Sequence, residues 1–146
     1  MKQLKVNNTA KIIVAVVYNK FVWLMRNKNQ TKVELAEIYY IRGDNELTYF
    51  YLILANGTLE VVCDNNGLCH WIKELDPALF WNPHQSYLVN IDYIDKYSSE
   101  HFFSNKYGTV KGAGGNFILK KLSDTEITRV PISRGHYPAI KKKMGN

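Results

Sequence analysis

Three short polar runs hold the residues best suited to chemistry. One is His84, Gln85 and Ser86, inside the stretch NPHQSYLVNIDYI at residues 82–94; another is the pair Ser133 and Arg134; the third is the turn-like RGDNE at residues 42–46. A histidine two residues from a serine raises the question of a base and its nucleophile. Neighbours one or two apart on a strand rarely point at each other, and the sequence offers no orienting carboxylate or oxyanion-binding turn, so a structural reading outweighs a catalytic one. Cys63, Cys69 and His70 lack a paired Cys-x-x-Cys and a fourth ligand, and are expected to be buried thiols and a bystander, with no metal. The GAGG run at residues 112–115 has no following Lys-Ser/Thr and no strand-loop-helix frame, so a flexible surface hairpin is expected there and not a phosphate loop. Tyr49, Phe50 and Tyr51 could stack on bases as in single-strand binders, but in an apolar strand they are expected in the core.

These residues must be positioned by strands. Residues 11–18 (KIIVAVVY) and 21–25 (FVWLM) read as strands, and the polar run 26–32 as a loop. Residues 33–41 read as one strand whose alternation slips between Leu35 and Ile38, which suggests a bulge or a bend. Residues 47–54 (LTYFYLIL) are apolar on both faces, as in a central strand. Asn56-Gly57 is a strong hairpin signal, since both residues tolerate positive φ, and residues 58–63 return with Leu59, Val61 and Cys63 on one face. A short helix capped by Asn65 or Asn66 should carry Leu68, Ile72 and Leu75 on one stripe, and Asp76-Pro77 should end it. Residues 86–94 are the next strand. Residues 98–116 carry no clear signal. Residues 117–122 and 127–132 should form a hairpin around Ser123, Asp124 and Thr125, and Ser133 should cap a last helix with Pro138 in its first turn. Strands therefore dominate without βαβ alternation, and the expected fold class is mainly β, with antiparallel sheets, one short internal helix and a C-terminal helix.

Composition sets the outer limits. At 146 residues the chain suits one domain with a modest core. Two cysteines build no disulfide framework, and a reducing compartment is the simpler expectation. No secretory signal is visible, and the apolar run at residues 12–18 is far too short to span a bilayer, so a cytoplasmic location without membrane contact is expected. The net charge of +6 is unevenly spread. Residues 1–32 carry seven Lys/Arg and no acid, residues 33–95 two basic and ten acidic residues, and residues 96–146 ten basic and three acidic ones. Basic ends of this kind can attract a polyanion, although a solvated surface gives the same count.

Three blocks, in order, carry a family resemblance. They are EIYYIRGDNELTYFYLILANGTLEV, LFWNPHQSYLVNIDYI and VPISRGHYPAIKKKM. The chain resembles the LytTR family of bacterial DNA-binding domains over roughly residues 33–144. Phe80, His84, Ser86, Tyr87, Leu88, Val89 and Asn90 match the family's phenylalanine and its His-Arg-Ser-Tyr-(Leu/Ile)-Val-Asn block. Pro131, Ile132, Ser133, Arg134 and Tyr137 match its Pro-(Val/Ile)-Ser-Arg-Arg-Tyr block, with Tyr137 displaced by one residue. Arginines common in the family are replaced by Asn82, Gln85 and Gly135.

The resemblance implies a compact antiparallel β domain that binds double-stranded DNA through loops along one edge. The DNA-facing residues it implies are Arg42, Asn45, Thr48, His84, Gln85, Ser86, Ser133 and Arg134. Their chemistry fits such roles. Arg134 can take guanine O6 and N7 or a phosphate. Gln85 and Asn45 can read adenine through their amides, and Thr48 and Ser86 suit phosphate or sugar. The expected organisation is a basic, strand-forming N-terminal extension at residues 1–32 and a DNA-binding domain at residues 33–146. About thirty residues are too few for the receiver domain many family members carry, so control is expected from a separate signalling partner, a homodimer or expression level. No cofactor, metal or catalysis is expected. The rival reading is a protein-interaction or dimerisation module on the same fold, working by strand addition at exposed edges.

Overall fold

Two hairpins open the chain. β1 (Lys2–Asn8) pairs antiparallel with β2 (Lys11–Val17), and β3 (Phe21–Arg26) with β4 (Asn29–Glu34). The structure, a computed structural model, describes residues 2–8, 11–100, 102–105, 108–111, 113–124 and 126–145, with side chains for residues 17–100, 113–124 and 126–145. The polar run at residues 26–32 is thus half of a hairpin and not a loop. Asn27 and Lys28 both adopt positive φ, 49° and 66°, the pairing that lets a two-residue turn follow strand twist. Val22, Leu24 and Val33 point inward from this hairpin and are buried. The division expected at residue 32 therefore runs through β4.

The slip in alternation at residues 33–41 is a break. Leu35–Glu37 form a 3-10 turn, and β5 (Ile38–Asp44) begins after it. A register shift between Ile38 and Tyr40 turns Tyr39 and Tyr40 to the same side. β6 (Leu47–Ile53) and β7 (Leu59–Asp64) follow, joined through Gly57 at φ +83°. They combine with β8 (Phe80–His84) and β9 (Tyr87–Asn90) in a five-stranded antiparallel sheet of order β7-β6-β5-β9-β8. The strand expected over residues 86–94 stops at Asn90, because Ile91–Tyr93 form a second 3-10 turn. Asn90 ties the two breaks together. Its buried amide donates to the carbonyls of Leu35 (3.2 Å) and Ile38 (2.9 Å), and its Oδ1 accepts from the Asp92 N–H (3.0 Å).

Each face of this sheet has its own core. On one side Ile41, Phe50, Leu52, Val62 and Leu88 meet the β3–β4 hairpin and α1 (Leu68–Glu74). Burying a side chain such as Phe50 contributes about 1.5–3 kcal/mol. The stripe of α1 is Leu68, Trp71 and Leu75, whereas Ile72 is exposed, because Trp71 packs edge-on against Phe50 (4.9 Å) and donates from Nε1 to Asp64 Oδ2 (2.9 Å). Gly67 stands at its N-cap, so neither Asn65 nor Asn66 caps it. Val62 is the inward residue of β7, and both Cys63 and Cys69 are exposed free thiols, against the expectation of burial.

On the other side Tyr39, Tyr40, Tyr51 and Val89 meet a three-stranded sheet and α2 (Tyr137–Lys143). That sheet orders β10 (Ile94–Ser98), β13 (Asn116–Leu119) and β14 (Arg129–Pro131) as β10-β13-β14, while β11 (Phe102–Asn105) pairs with β12 (Gly108–Lys111). The last hairpin is shorter than its apolar runs suggested; Thr125 of its connection lies outside the described residues, as does Gly112. Gly114 and Gly115 are buried, not part of a surface hairpin. Gly115 holds φ +92°, and a Cβ there would stand 2.4 Å from the Ser98 carbonyl oxygen. On α2, Ile140 is buried, with Tyr137 and Met144 packed beside the same core, as the pattern predicts.

Candidate nucleic-acid interface

The sheet order places two turns at one end. Asn45 and Glu46 connect β5 to β6, and Gln85 and Ser86 connect β8 to β9. The Gly43 N–H donates to the Ser86 carbonyl at 2.8 Å, which fixes the turns side by side. The third turn joins them from the other core. The Ser133 N–H donates to the Pro83 carbonyl at 2.9 Å, seating residues 133–136 against the end of β8. Three loops distant in sequence thus converge on one rim, held by main-chain bonds.

Most of the expected residues lie on that rim. Asn45 is exposed, at φ +57°, and Gln85 is exposed at the tip of its turn. His84 is half-buried, edge-on to Tyr87 at 5.6 Å, and its Nδ1 accepts from the Ser86 N–H at 3.0 Å. That bond places the proton of the neutral ring on Nε2. Burial first, and His136 second, hold the His84 imidazole below its ordinary value of 6.5, because both disfavour the charged form. Asn82 donates to the carbonyls of His84 (2.7 Å) and Tyr87 (2.8 Å), across the irregular pairing of β8 with β9. Its amide is used to shape the turn.

The Ser133 carbonyl accepts from the His136 and Tyr137 N–H groups, and its Oγ accepts from the His136 N–H at 3.2 Å. Ser133 therefore caps the turn ahead of α2, and His136 is the N-cap of the helix itself. Ser133 Oγ and His136 Nδ1 stand 2.5 Å apart. Among the described hydrogen bonds none links His136 to a carboxylate, the third member a nucleophilic serine requires. Arg134 is exposed on this turn. Lys141, Lys142 and Lys143 occupy the last turn of α2, where cations are favoured by the helix dipole.

Two expected contacts are not presented. Thr48 is fully buried, and its hydroxyl donates to the Asn66 carbonyl at 2.9 Å, so it offers nothing to a phosphate. Arg42 is half-buried on the sheet, with its guanidinium over Tyr49 at 4.7 Å and Nε donating to the Tyr51 hydroxyl at 3.2 Å. In the sequence Asn65 and Asn66 stand out only as candidate helix caps. Both are exposed, and they border a depression of about 460 Å³ that Asn45, Glu46, Gln85 and Ser86 also line. An Asn-Asn-Gly run directly after a strand was the available signal. The exposed carboxylates Asp44 and Glu46 stand on the same end. Among the described residues no group of three His, Cys, Asp or Glu side chains could hold a metal, and no helix is long and apolar enough to cross a membrane.

An uncharacterized response regulatory protein of Vibrio cholerae is 29% identical over 77 residues, which cover 51% of this chain and 29% of that protein. The chain thus matches under a third of that relative's length. The structure of the LytTr DNA-binding domain of a methyl-accepting/DNA response regulator from Bacillus cereus superposes with a TM-score of 0.63 at 19% identity, covering 88% of this chain and 99% of that one; at that identity the likeness is one of fold. The family model described as the LytTr DNA-binding domain matches residues 28–110, more than half of the sequence, and the chain belongs to that family.

Proposed function

We propose that this chain is a sequence-specific duplex DNA-binding regulator of transcription that inserts its three adjoining turns into the grooves of a short site. The observation that carries the reading is the pair of main-chain bonds, Gly43 to Ser86 and Ser133 to Pro83, which put three exposed polar turns on one rim. Arg134 takes a guanine edge or a phosphate, and Gln85 and Asn45 take adenine edges. Ser86, Ser133 and the Nε2–H of His84 suit phosphate or sugar oxygens, which set register. Thr48 and Arg42 act from behind, as supports for the turns. The lysines ending α2 add sequence-independent attraction. No reaction is catalysed, no cofactor takes part, and the protein works in the cytoplasm. In this reading the DNA-facing unit includes the β3–β4 hairpin, whose Val22, Leu24 and Val33 are buried in its core, and a separate signalling partner supplies control.

A protein-interaction role is favoured by one observation. The outer face of β3 exposes Trp23 and Met25, at 57% and 50%, and a homodimer formed there is compatible with DNA binding. The test is an anisotropy titration against duplex DNA at two salt concentrations. Affinity should fall with salt, and Arg134→Ala should lower the slope of that dependence by about one. Absence of binding even at low salt would leave the interaction module as the better reading.

A further inference from the structure

The β7–α1 loop meets the three turns at the depression described above. It is held there from behind. Thr48 Oγ1 binds the Asn66 carbonyl (2.9 Å), and Asp64 Oδ2 accepts both the Asn66 N–H (3.0 Å) and the Trp71 Nε1–H (2.9 Å). The loop lies against the β5–β6 turn at Gly67, where a Cβ would stand in ordinary contact with the Glu46 and Asn45 carbonyl oxygens, at 3.8 and 3.9 Å. The main chain of Asn66 is thus engaged at both its N–H and its carbonyl, while the side chains of Asn65 and Asn66 are exposed. Together with Asn45 and Gln85 they put four carboxamides around one hollow.

We propose that Asn65 and Asn66 form a fourth reading element, which recognises adenine edges in the major groove; this rests on the DNA-binding reading above. A carboxamide presents a donor and an acceptor side by side, the complement of adenine N6 and N7. Among the described residues no cationic side chain lines the hollow, and the Glu46 carboxylate beside it repels phosphate. It therefore faces bases, while the α2 lysines face the backbone. Thr48 is a positioning residue for this element.

The experiment is selection from a randomised duplex DNA library, read by sequencing, with the wild-type chain, Asn65→Ala, Asn66→Ala and Asn65→Asp, each checked for an unchanged melting temperature. The wild type should enrich a motif containing adenine at the affected base pairs. An alanine variant should flatten the preference at one or two of them by roughly 5- to 150-fold, with the salt slope unchanged. Asn65→Asp should move the preference at its base pair from adenine toward cytosine, whose N4 amine a carboxylate accepts; a merely structural role would not redirect it. A wild-type motif retained by all three variants overturns the fourth element and leaves the three-turn reading standing. A wild-type chain that binds no duplex overturns both.

Discussion

Asn90→Ala should be among the most damaging single polar-to-alanine changes in this protein. The side chain is 3% exposed and makes three hydrogen bonds, two as donor to the carbonyls of Leu35 and Ile38 and one as acceptor from Asp92. Each bond contributes a net stabilisation of about 0.5–1.5 kcal/mol, and a buried group left unsatisfied costs toward the upper end. The carbonyls of Leu35 and Ile38 belong to residues that are 8% and 0% exposed, so water replaces the lost donor poorly. The expected loss is about 2–4 kcal/mol, a large part of the roughly 5–15 kcal/mol that holds a domain folded. Urea denaturation followed by tryptophan fluorescence and far-UV circular dichroism should show a lower midpoint with both probes in step. Asn90→Asp keeps the acceptor for Asp92 but turns a carboxylate toward two carbonyl oxygens. It should be at least as destabilising at neutral pH and partly recover on acidification, when the protonated group can donate. A loss under about 1 kcal/mol for Asn90→Ala, with an unchanged slope, would refute the claim that this amide ties the two 3-10 turns together.

Two further outcomes follow from geometry. Gly115→Ala meets both a positive φ and a wall, the Ser98 carbonyl at 2.4 Å and the Tyr97 hydroxyl at 2.7 Å, and should cost about 2–4 kcal/mol. Gly57→Ala carries the strain without the clash, since its nearest contact is the Leu122 carbonyl at 3.7 Å, and should cost about 1–2 kcal/mol; equal losses in the two variants would remove the packing argument. The pH dependence of stability has a defined sign. His84 binds its proton less readily folded than unfolded, so its contribution is complete above the ordinary value of 6.5 and shrinks as pH falls through the lowered one. Melting temperature should drop between pH 7.5 and 5.5, and less so in His84→Gln; identical profiles for the two would show that another group sets the slope.

Much of the architecture was legible from local pattern. The two-sided apolar run at residues 47–54 becomes inner strand β6, and Asn56-Gly57 becomes the β6–β7 turn. Tyr137, Ile140 and Met144 share the inner face of α2. What failed did so where tertiary contacts override local preference. Residues 29–32 look like loop because their side chains are polar, yet β3 supplies the pairing and only Val33 needs to be inward. Ile72 is as apolar as Trp71, but only Trp71 finds both Phe50 and the Asp64 carboxylate. Residues 86–94 read as one strand because nothing local shows that the Asn90 amide is needed 52 and 55 residues upstream. At the rim, residue types and family order located the turns. They could not show that Thr48 faces inward, since a threonine next to a turn suits either side of a strand.

The two bonds that join the three turns to one another run between peptide groups, Gly43 to Ser86 and Ser133 to Pro83. Peptide groups do not change when side chains do. The tips at Asn45, Gln85 and Arg134 can therefore be exchanged without disturbing the placement of the turns that bear them. Under the proposed function, a lineage is then free to rewrite what the rim reads while inheriting its shape. Likeness in fold at 19% identity, as with the Bacillus cereus domain, is what such a separation permits.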